Sequence, residues 1–367
     1  MKDLLIVATS ALKPEQEKML FDSPYPRVEY VLLAKQSGAD FLNYALYDEV
    51  MFSKALRRVE TFLRSDITLA FFSLRRARGY KTVLAMSERV GLQLALFKRL
   101  GLLKSKLVLR FAAWSHRQEK LLRNLDLLPY IDHIIVESKP LGDLLTSSFG
   151  VPAERVTFVP YAIDVEYFSE DRVSLPMHAA AQKSTPKIFS AGEIRGRDYA
   201  TLLDSVSSMP QVEVEIAASG TWFAREKDDT FKAAELPPNV TIAGRMPHSE
   251  MREKYAEATC VVIPVLDQVF SAGVTVALEA MAMGKPIVAT HSQGLAGYLQ
   301  NGRNCILVPP QDPEKMKAAI EYLLNNPKCA QTLGYNARRT AEKEFSLETH
   351  VAGFRSVLDS VSPLITG

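Results

Sequence analysis

A chain of 367 residues that is 47% hydrophobic and 23% charged has the length for two domains and the apolar content for substantial cores, which excludes a disordered chain. The net charge is only +2, but residues 51–125 hold 17 basic residues against 4 acidic ones. That imbalance fits either a set of solvated helix faces or a surface facing anionic lipid head groups or an anionic acceptor. Nucleic acid is not expected there, because no aromatic-interleaved basic motif accompanies it.

The N-terminal MKDLLIVAT opens directly into a strand-like run, too short for a signal peptide and with Asp3 in its flank. No apolar run approaches the roughly 18 residues of a membrane span, so a cytoplasmic protein is expected, with membrane association as a candidate. Short β-branched runs then alternate with helical patterns, which predicts an α/β protein with parallel sheets. In the first half, strands are expected at 4–8, 28–33, 83–86, 107–111, 133–136 and 156–159. One or two helices are expected over about 44–74, and others at 90–100 and 117–125. The loop-rich stretch between VPYAIDVEYF and Pro186 predicts a domain boundary near residue 180.

The second half restarts with a strand at 187–191, a helix at 198–207, and strands at 212–217, 240–242, 260–264, 287–289 and 305–308. Asp312 before Pro313 is an N-cap followed by proline at the first helical position, and it opens a helix over 314–324. The tail from 328 to 361 is helical in pattern, broken near Phe345 and Ser346. Cys260, Cys305 and Cys329 are far apart with no CxxC pair, which argues against a disulfide framework or a zinc site. Cys260 and Cys305 lie in apolar runs and are expected in the core. Two halves of this kind predict two Rossmann-like domains facing across a cleft, 1–180 and 181–346, with ligands at the carboxyl ends of strands.

Residues 271–290, SAGVTVALEAMAMGKPIVAT, read as a polar loop, a small-residue helix, a tight turn and a buried strand. A helix opening after Gly273 presents the backbone N–H groups of Val274, Thr275 and Val276, with a partial positive charge, to an anion. Glu279, further along that helix, can accept hydrogen bonds from hydroxyls. A diphosphate beside a polyhydroxyl ring suits this arrangement, and a nucleotide sugar has that shape. The residues alone also allow Glu279 to be a solvated helical glutamate.

This segment, with AGEIRGRDYATLLDSV (191–206), EIAASG (215–220), NVTIAGRMPHSEMREKYAEATCVVIPV (239–265) and NGRNCILVPPQDPEKMKAAI (301–320), resembles the donor-binding domain of retaining GT-B glycosyltransferases of sequence family 4, the glycosyl transferases group 1. VPAERVTFVPYAIDVEYF (151–168) resembles the end of their acceptor domain, whereas the first 150 or so residues match only loosely. The resemblance implies a GT-B fold and a C-terminal helix, about 347–361, packed back onto the first domain. It implies that Glu279 holds the ribose hydroxyls, that Val274, Thr275 and Val276 face the diphosphate, and that Arg195 and Arg197 stabilise the departing diphosphate. Arg245 and Met246 fall where the family reads the base, Gly192 and Gly220 permit close backbone approach, and His116 stands near the reacting centre. On the residues alone, the two arginines can also be read as surface residues of a loop, and His116 as a surface histidine of a basic loop. Glu88 and Arg89, after a predicted strand, are acceptor-contact candidates.

Departures from the family pattern accompany the match. The first glutamate of its pair falls on Ser271, and Asp267 or Gln268 stands nearby out of register. The first basic residue of the loop falls on Glu193, so Arg195 would replace it from two positions along. ATSALKPEQ (8–16) stands where a glycine-rich loop is usual, and Gly297 replaces a common glutamate. No DxD pair appears near a strand end, His133, His178, His248 and His350 give no ligand spacing, and His291 is read as a loop residue; no metal or other cofactor is expected. The resemblance thus implies a metal-independent retaining transferase. It would move a hexose or related sugar from a nucleotide diphosphate donor to a carbohydrate or lipid-linked hydroxyl, in polysaccharide, glycolipid or glycoconjugate synthesis. A binding or scaffold protein on a decayed glycosyltransferase fold, or another nucleotide-sugar enzyme such as an epimerase, remains the alternative.

Overall fold

The computed structural model describes residues 2–10, 25–45, 60, 66–173, 185–192, 196–218, 236–244 and 246–363. Packing divides the chain into two units. One holds β1, the residues from Arg27 to Pro160 and those from Glu348 onward; the other holds Tyr161–Leu347.

The first unit runs β1 (Lys2–Val7), α1 (Glu29–Ser37), β2 (Asp40–Leu42), α2 (Ile67–Ala77), β3 (Tyr80–Ala85), α3 (Glu88–Arg99), β4 (Lys106–Phe111), α4 (His116–Leu125), β5 (His133–Val136), α5 (Lys139–Phe149) and β6 (Val156–Phe158). Its strands form one parallel sheet in the order β2-β1-β3-β4-β5-β6. Alternate residues of each strand face opposite sides, and both sides are covered, which is why the strands read as continuous apolar runs. Leu5, Val7, Val83, Leu107, Leu109 and Ile134 pack under α2 to α5. On the other side, Leu4, Ile6, Leu84, Val108 and Ile135 meet Val31 and Leu33 of α1, and Val351, Phe354, Val357 and Leu358 of the C-terminal helix, Leu347–Val361.

The run at 28–33, expected as a strand, is the start of α1. Val28 is its N-cap, and Tyr30, Val31, Leu33 and Ala34 are buried at helical rather than alternating spacing. Gly38, in the left-handed region at φ 58°, ends the helix, and the strand follows it at Asp40–Leu42. A six-residue segment that is apolar except for Glu29 satisfies either structure; the helix-forming Ala34–Lys35–Gln36 that follows decides for the helix.

The second unit runs β7 (Lys187–Ala191), α6 (Tyr199–Ser207), β8 (Glu213–Ala217), β9 (Val240–Ala243), α7 (His248–Glu257), β10 (Cys260–Ile263), α8 (Val274–Ala282), β11 (Ile287–Thr290), β12 (Ile306–Val308), α9 (Pro313–Asn325) and α10 (Pro327–Glu344). Its parallel sheet has the order β12-β11-β10-β7-β8-β9. Asp312 caps α9 as expected, accepting from the Lys315 N–H at 2.9 Å. Cys260 and Cys305 are buried, and burial pushes both thiols up to about 12.

Packing joins residues 161–173 to this second unit, ahead of the boundary expected near 180. Arg338 of α10 donates to the carbonyls of Val165 (3.0 Å), Phe168 (2.7 Å) and Ala282, and the Ile163 N–H donates to the Phe345 carbonyl at 2.9 Å. No helix among the described residues is long and apolar enough to cross a membrane.

Candidate functional site

In the second sheet the strand order reverses between β7 and β10, so the loops leaving their carboxyl ends diverge to opposite sides and leave room for a ligand. Here the two loops are tied together. The Leu266 N–H donates to the Gly196 carbonyl and the Asp198 N–H to the Pro264 carbonyl, each at 3.0 Å, around an antiparallel bridge between Arg197 and Val265. Asp198 then caps α6, accepting from the N–H (3.2 Å) and hydroxyl (2.7 Å) of Thr201. These bonds fix the backbone of Arg197, whose side chain turns back to donate from Nε to the Ala191 carbonyl at 3.1 Å.

The guanidinium lies where two glycines give it space. A Cβ on Gly192, which sits at φ +128°, would come within 2.2 Å of Arg197 Nη2. A Cβ on Gly273 would lie 3.3 Å from Nη1 and 3.0 Å from Val265 Cγ1. Gly273 is also the N-cap of α8, at φ 87°, a conformation that itself selects glycine. Among the described residues no side chain caps this helix; the Val274 N–H is turned to the Ser271 carbonyl at 3.4 Å, and the Thr275 and Val276 N–H groups of the first turn are available to an anion, with the Arg197 cation alongside. Val274 and Val276 turn their side chains into the core, and Thr275 is exposed.

Glu279 lies in the second turn of α8 and is 6% exposed. Its Oε2 accepts a 2.7 Å hydrogen bond from the hydroxyl of Tyr255, a fully buried side chain of α7. Burial pushes the Glu279 carboxyl up to about 7, against the opposing pull of the Tyr255 hydroxyl and the Arg197 charge. Tyr199 adds a second buried hydroxyl, donated to the Gly192 carbonyl at 3.0 Å. A cation, a helix N-terminus and a carboxylate near neutrality thus share one apolar setting, a combination found at binding sites more often than in a plain core.

Of the residues singled out from sequence, Gly192, Arg197, Gly273, Val274, Thr275, Val276 and Glu279 are brought together here. Ser271 is half-buried in the loop that leads into α8, its carbonyl accepting from the Val274 N–H at 3.4 Å. Met246 is half-buried in the loop after the edge strand β9. Arg195, Glu193, Gly220 and Arg245 lie outside the described residues.

Asp267 is committed elsewhere: its carboxylate accepts from the Gln293 N–H (2.9 Å) and side-chain amide (3.2 Å), bonds that hold it below the usual carboxylate range. Gln268 stands closer to the arginine loop, with its amide 3.4 Å from the position of a Cβ on Gly196. His291 is exposed on its loop. Tyr255 and Tyr199 escaped the sequence reading, because nothing local distinguishes them from core aromatics; only the packing of α6 and α7 on β7 brings their hydroxyls to the site.

In the first unit the strand order reverses between β1 and β3. Glu88 opens α3 directly after β3, behind the Ser87 cap, which accepts from the Arg89 N–H at 3.2 Å. The Glu88 side chain is 7% exposed. Burial pushes its carboxyl up, while its own N–H, the Ala112 N–H, the Gln118 amide and the Arg110 charge pull it down. It thereby links the loops after β3 and β4. Arg89 forms a two-pronged pair with buried Asp66, at 2.9 Å from Nε and 3.0 Å from Nη2, and Tyr44 donates to the same carboxylate at 2.7 Å. His116 is the first residue of α4, after the Ser115 cap, and its side chain is 93% exposed with Nδ1 4.0 Å from Glu119.

Residues 185–326 match the profile of the family described as glycosyl transferases group 1. An MMP alpha-(1->4)-mannosyltransferase of Mycolicibacterium hassiacum is 29% identical over 255 residues, covering 68% of this chain and 57% of that protein. A D-inositol 3-phosphate glycosyltransferase 1 of Catenulispora acidiphila is 27% identical over 237 residues, covering 61% and 54% respectively. The chain therefore spans little more than half the length of these curated relatives. The solved structure of Anabaena HepE in complex with UDP-glucose matches 98% of this chain and 100% of its own at a TM-score of 0.72 and 16% identity. The two parallel six-stranded sheets with their helices are those of the GT-B fold.

Proposed function

We propose, on the premise that this chain belongs through residues 185–326 to the glycosyl transferases group 1 family, that it transfers a sugar from a nucleotide diphosphate sugar to an acceptor hydroxyl. One observation carries the reading: the Arg197 guanidinium lies against Gly192 and Gly273 at the opening of α8, the helix that also bears Glu279. The diphosphate would sit on the first-turn N–H groups of Thr275 and Val276, and on that of Val274 once it leaves the Ser271 carbonyl, its charge met by Arg197 and by Arg195, two positions before it in the chain. Glu279 would accept the ribose hydroxyls, and Met246 with Arg245 would face the base. Ser271 would offer the sugar a neutral hydroxyl where the family has a carboxylate. That HepE was solved with UDP-glucose supports a donor of this class.

Transfer would take a dissociative course, with retention at the anomeric carbon set by attack on the face the diphosphate leaves. As the bond between that carbon and the diphosphate oxygen breaks, its electron pair passes to the diphosphate, which Arg197 and Arg195 stabilise. The acceptor oxygen then bonds the carbon from the same face and its proton passes to the departing phosphate oxygen, so no protein base is needed. Metal independence belongs to this reading, because the arginines carry the metal's electrostatic role. So do acceptor contacts at Glu88, Arg89 and His116, a carbohydrate or lipid-linked acceptor, a cytoplasmic location, and peripheral contact of the basic stretch 51–125 with an anionic membrane surface.

Calorimetry with UDP, GDP and ADP tests the proposal, followed by turnover on the matching donor sugars with and without a chelator. One nucleotide should bind, chelation should leave turnover unchanged, and Arg197→Ala should cost about 10²–10³ in turnover, the usual effect of losing one donor to a developing oxyanion. Binding of none of the three, with no donor hydrolysis, would refute the enzyme and leave a scaffold on a decayed fold.

A further inference from the structure

We infer that Tyr255 is a positioning residue for the nucleotide ribose: its hydroxyl engages Oε2 of Glu279 and leaves Oε1 to accept the ribose hydroxyls. The inference rests on the reading of Glu279 as the ribose acceptor. The ring of Tyr255 has no freedom to place its hydroxyl elsewhere. Phe189 of β7 meets it edge-on at 5.1 Å between centroids and 89°, and Phe168 lies 6.4 Å away at 77°. The side chain is fully buried, so its O–H must find a partner inside the protein, and that partner is Glu279 at 2.7 Å. Among the described residues, Oε1 of Glu279 takes part in no hydrogen bond, which leaves its lone pairs to an incoming donor.

The arrangement also governs charge. A carboxylate this buried tends to take up a proton, and a protonated carboxyl is a poorer acceptor for two hydroxyls. The groups that face it are Tyr255 from α7 and Arg197 from the loop after β7, with Tyr199 of α6 beside Tyr255, and the first two favour the ionised form. Burial and the neighbouring carboxylate push the Tyr255 hydroxyl well above its ordinary range, so it stays a donor through the neutral range. Nucleotide affinity should therefore rise with pH through about neutrality, following the Glu279 carboxyl at about 7.

Titration of the whole chain with UDP, GDP and ADP, and with the 2′,3′-dideoxy form of whichever binds tightest, at pH 6 to 9 tests this. Tyr255→Phe keeps the ring and removes only the donor. It should weaken the nucleotide about tenfold near pH 7, move the affinity midpoint to higher pH, and reduce discrimination against the dideoxy form. A simple packing role would move neither the midpoint nor the discrimination. In a Glu279→Gln background the Tyr255→Phe change should add little further loss of affinity.

Wild-type affinity and midpoint in Tyr255→Phe, with Glu279→Gln impaired, would overturn the inference while leaving the ribose reading intact. Wild-type binding by Glu279→Gln, or no discrimination against the dideoxy form by the wild type, would overturn both. If Tyr255→Phe does not fold, 3-fluorotyrosine at position 255, a stronger donor of the same shape, should move the midpoint to lower pH. An unmoved midpoint would equally overturn the inference.

Discussion

Glu279 is held in a state that costs the fold stability. Its carboxyl titrates at about 7 in the native protein because it is buried, whereas an exposed glutamate titrates near 4.5. Between those values the native state binds the extra proton, so stability falls as pH rises from about 4.5 to 7 and is level above that. Glu279→Gln keeps an acceptor for Tyr255 and carries no charge. Its melting temperature should exceed that of the wild type at pH 8 and match it near pH 4.5, while its nucleotide affinity drops. Equal melting temperatures at pH 8 would show that the carboxylate is better solvated than its burial implies. A residue whose removal stabilises the protein while weakening a ligand is retained for the ligand.

At the scale of elements, the pair between Arg89 and Asp66 joins the N-terminus of α3 to that of α2, with Asp66 only 3% exposed. Arg89→Ala would leave that carboxylate with Tyr44 as its partner among the described residues. Because Arg89 is itself nearly half exposed, the loss should be about 1–2 kcal/mol, larger at pH 8 than at pH 5, as read from urea unfolding. An acceptor contact by Arg89 would instead raise the acceptor KM at unchanged stability, so the two roles separate.

The same scale explains what the sequence could and could not convey. The Asp312–Pro313 start of α9, the strand at Lys187–Ala191 and the opening of α8 each depend on a few adjacent residues, and each stands where the local pattern puts it. The segment at 28–33 does not, because an apolar run buried on a sheet face carries no period that separates helix from strand. At the site, Gly273 to Glu279 is one contiguous motif, and Gly192 and Arg197 stand close together in the sequence, so these were legible. Tyr255 acquires its role only from three elements distant in sequence, α7, α8 and β7, which no window of sequence contains.

For the whole molecule, the chain passes between its two units at Pro160 and again at Leu347, and the second passage returns a helix to the unit that began at the N-terminus. His350 secures that helix within the first unit. It is 3% exposed, its Nδ1 bonds the Pro160 carbonyl at 2.6 Å, and its ring lies 4.7 Å from that of Phe354. Burial pushes the imidazole down to about 4; Arg110 on β4 pushes the same way and Glu29 on α1 opposes. With Nδ1 as the donor, Nε2 is buried without a partner among the described residues, and protonation would place a second N–H there with no acceptor among them.

The folded value lies below the ordinary 6.5, so the neutral ring's contribution is full above about 6.5 and is lost as pH falls toward 4. His350→Asn retains a donor and does not titrate. Its unfolding midpoint in urea should therefore change less than the wild type's between pH 7 and pH 4.5; parallel curves would exclude His350 as a source of acid lability.

That returning helix also imposes an order on biosynthesis. The face formed by Leu4, Ile6, Leu84, Val108 and Ile135 stays partly uncovered until Val351, Phe354, Val357 and Leu358 have been made. A ribosome releases the chain from its N-terminus, so the unit translated first lacks part of its own core until residues 351–358 emerge. The second unit has all of its strands well before that point. Of the two, the unit begun first is therefore completed last, and throughout synthesis it carries an apolar face that must be kept from other chains.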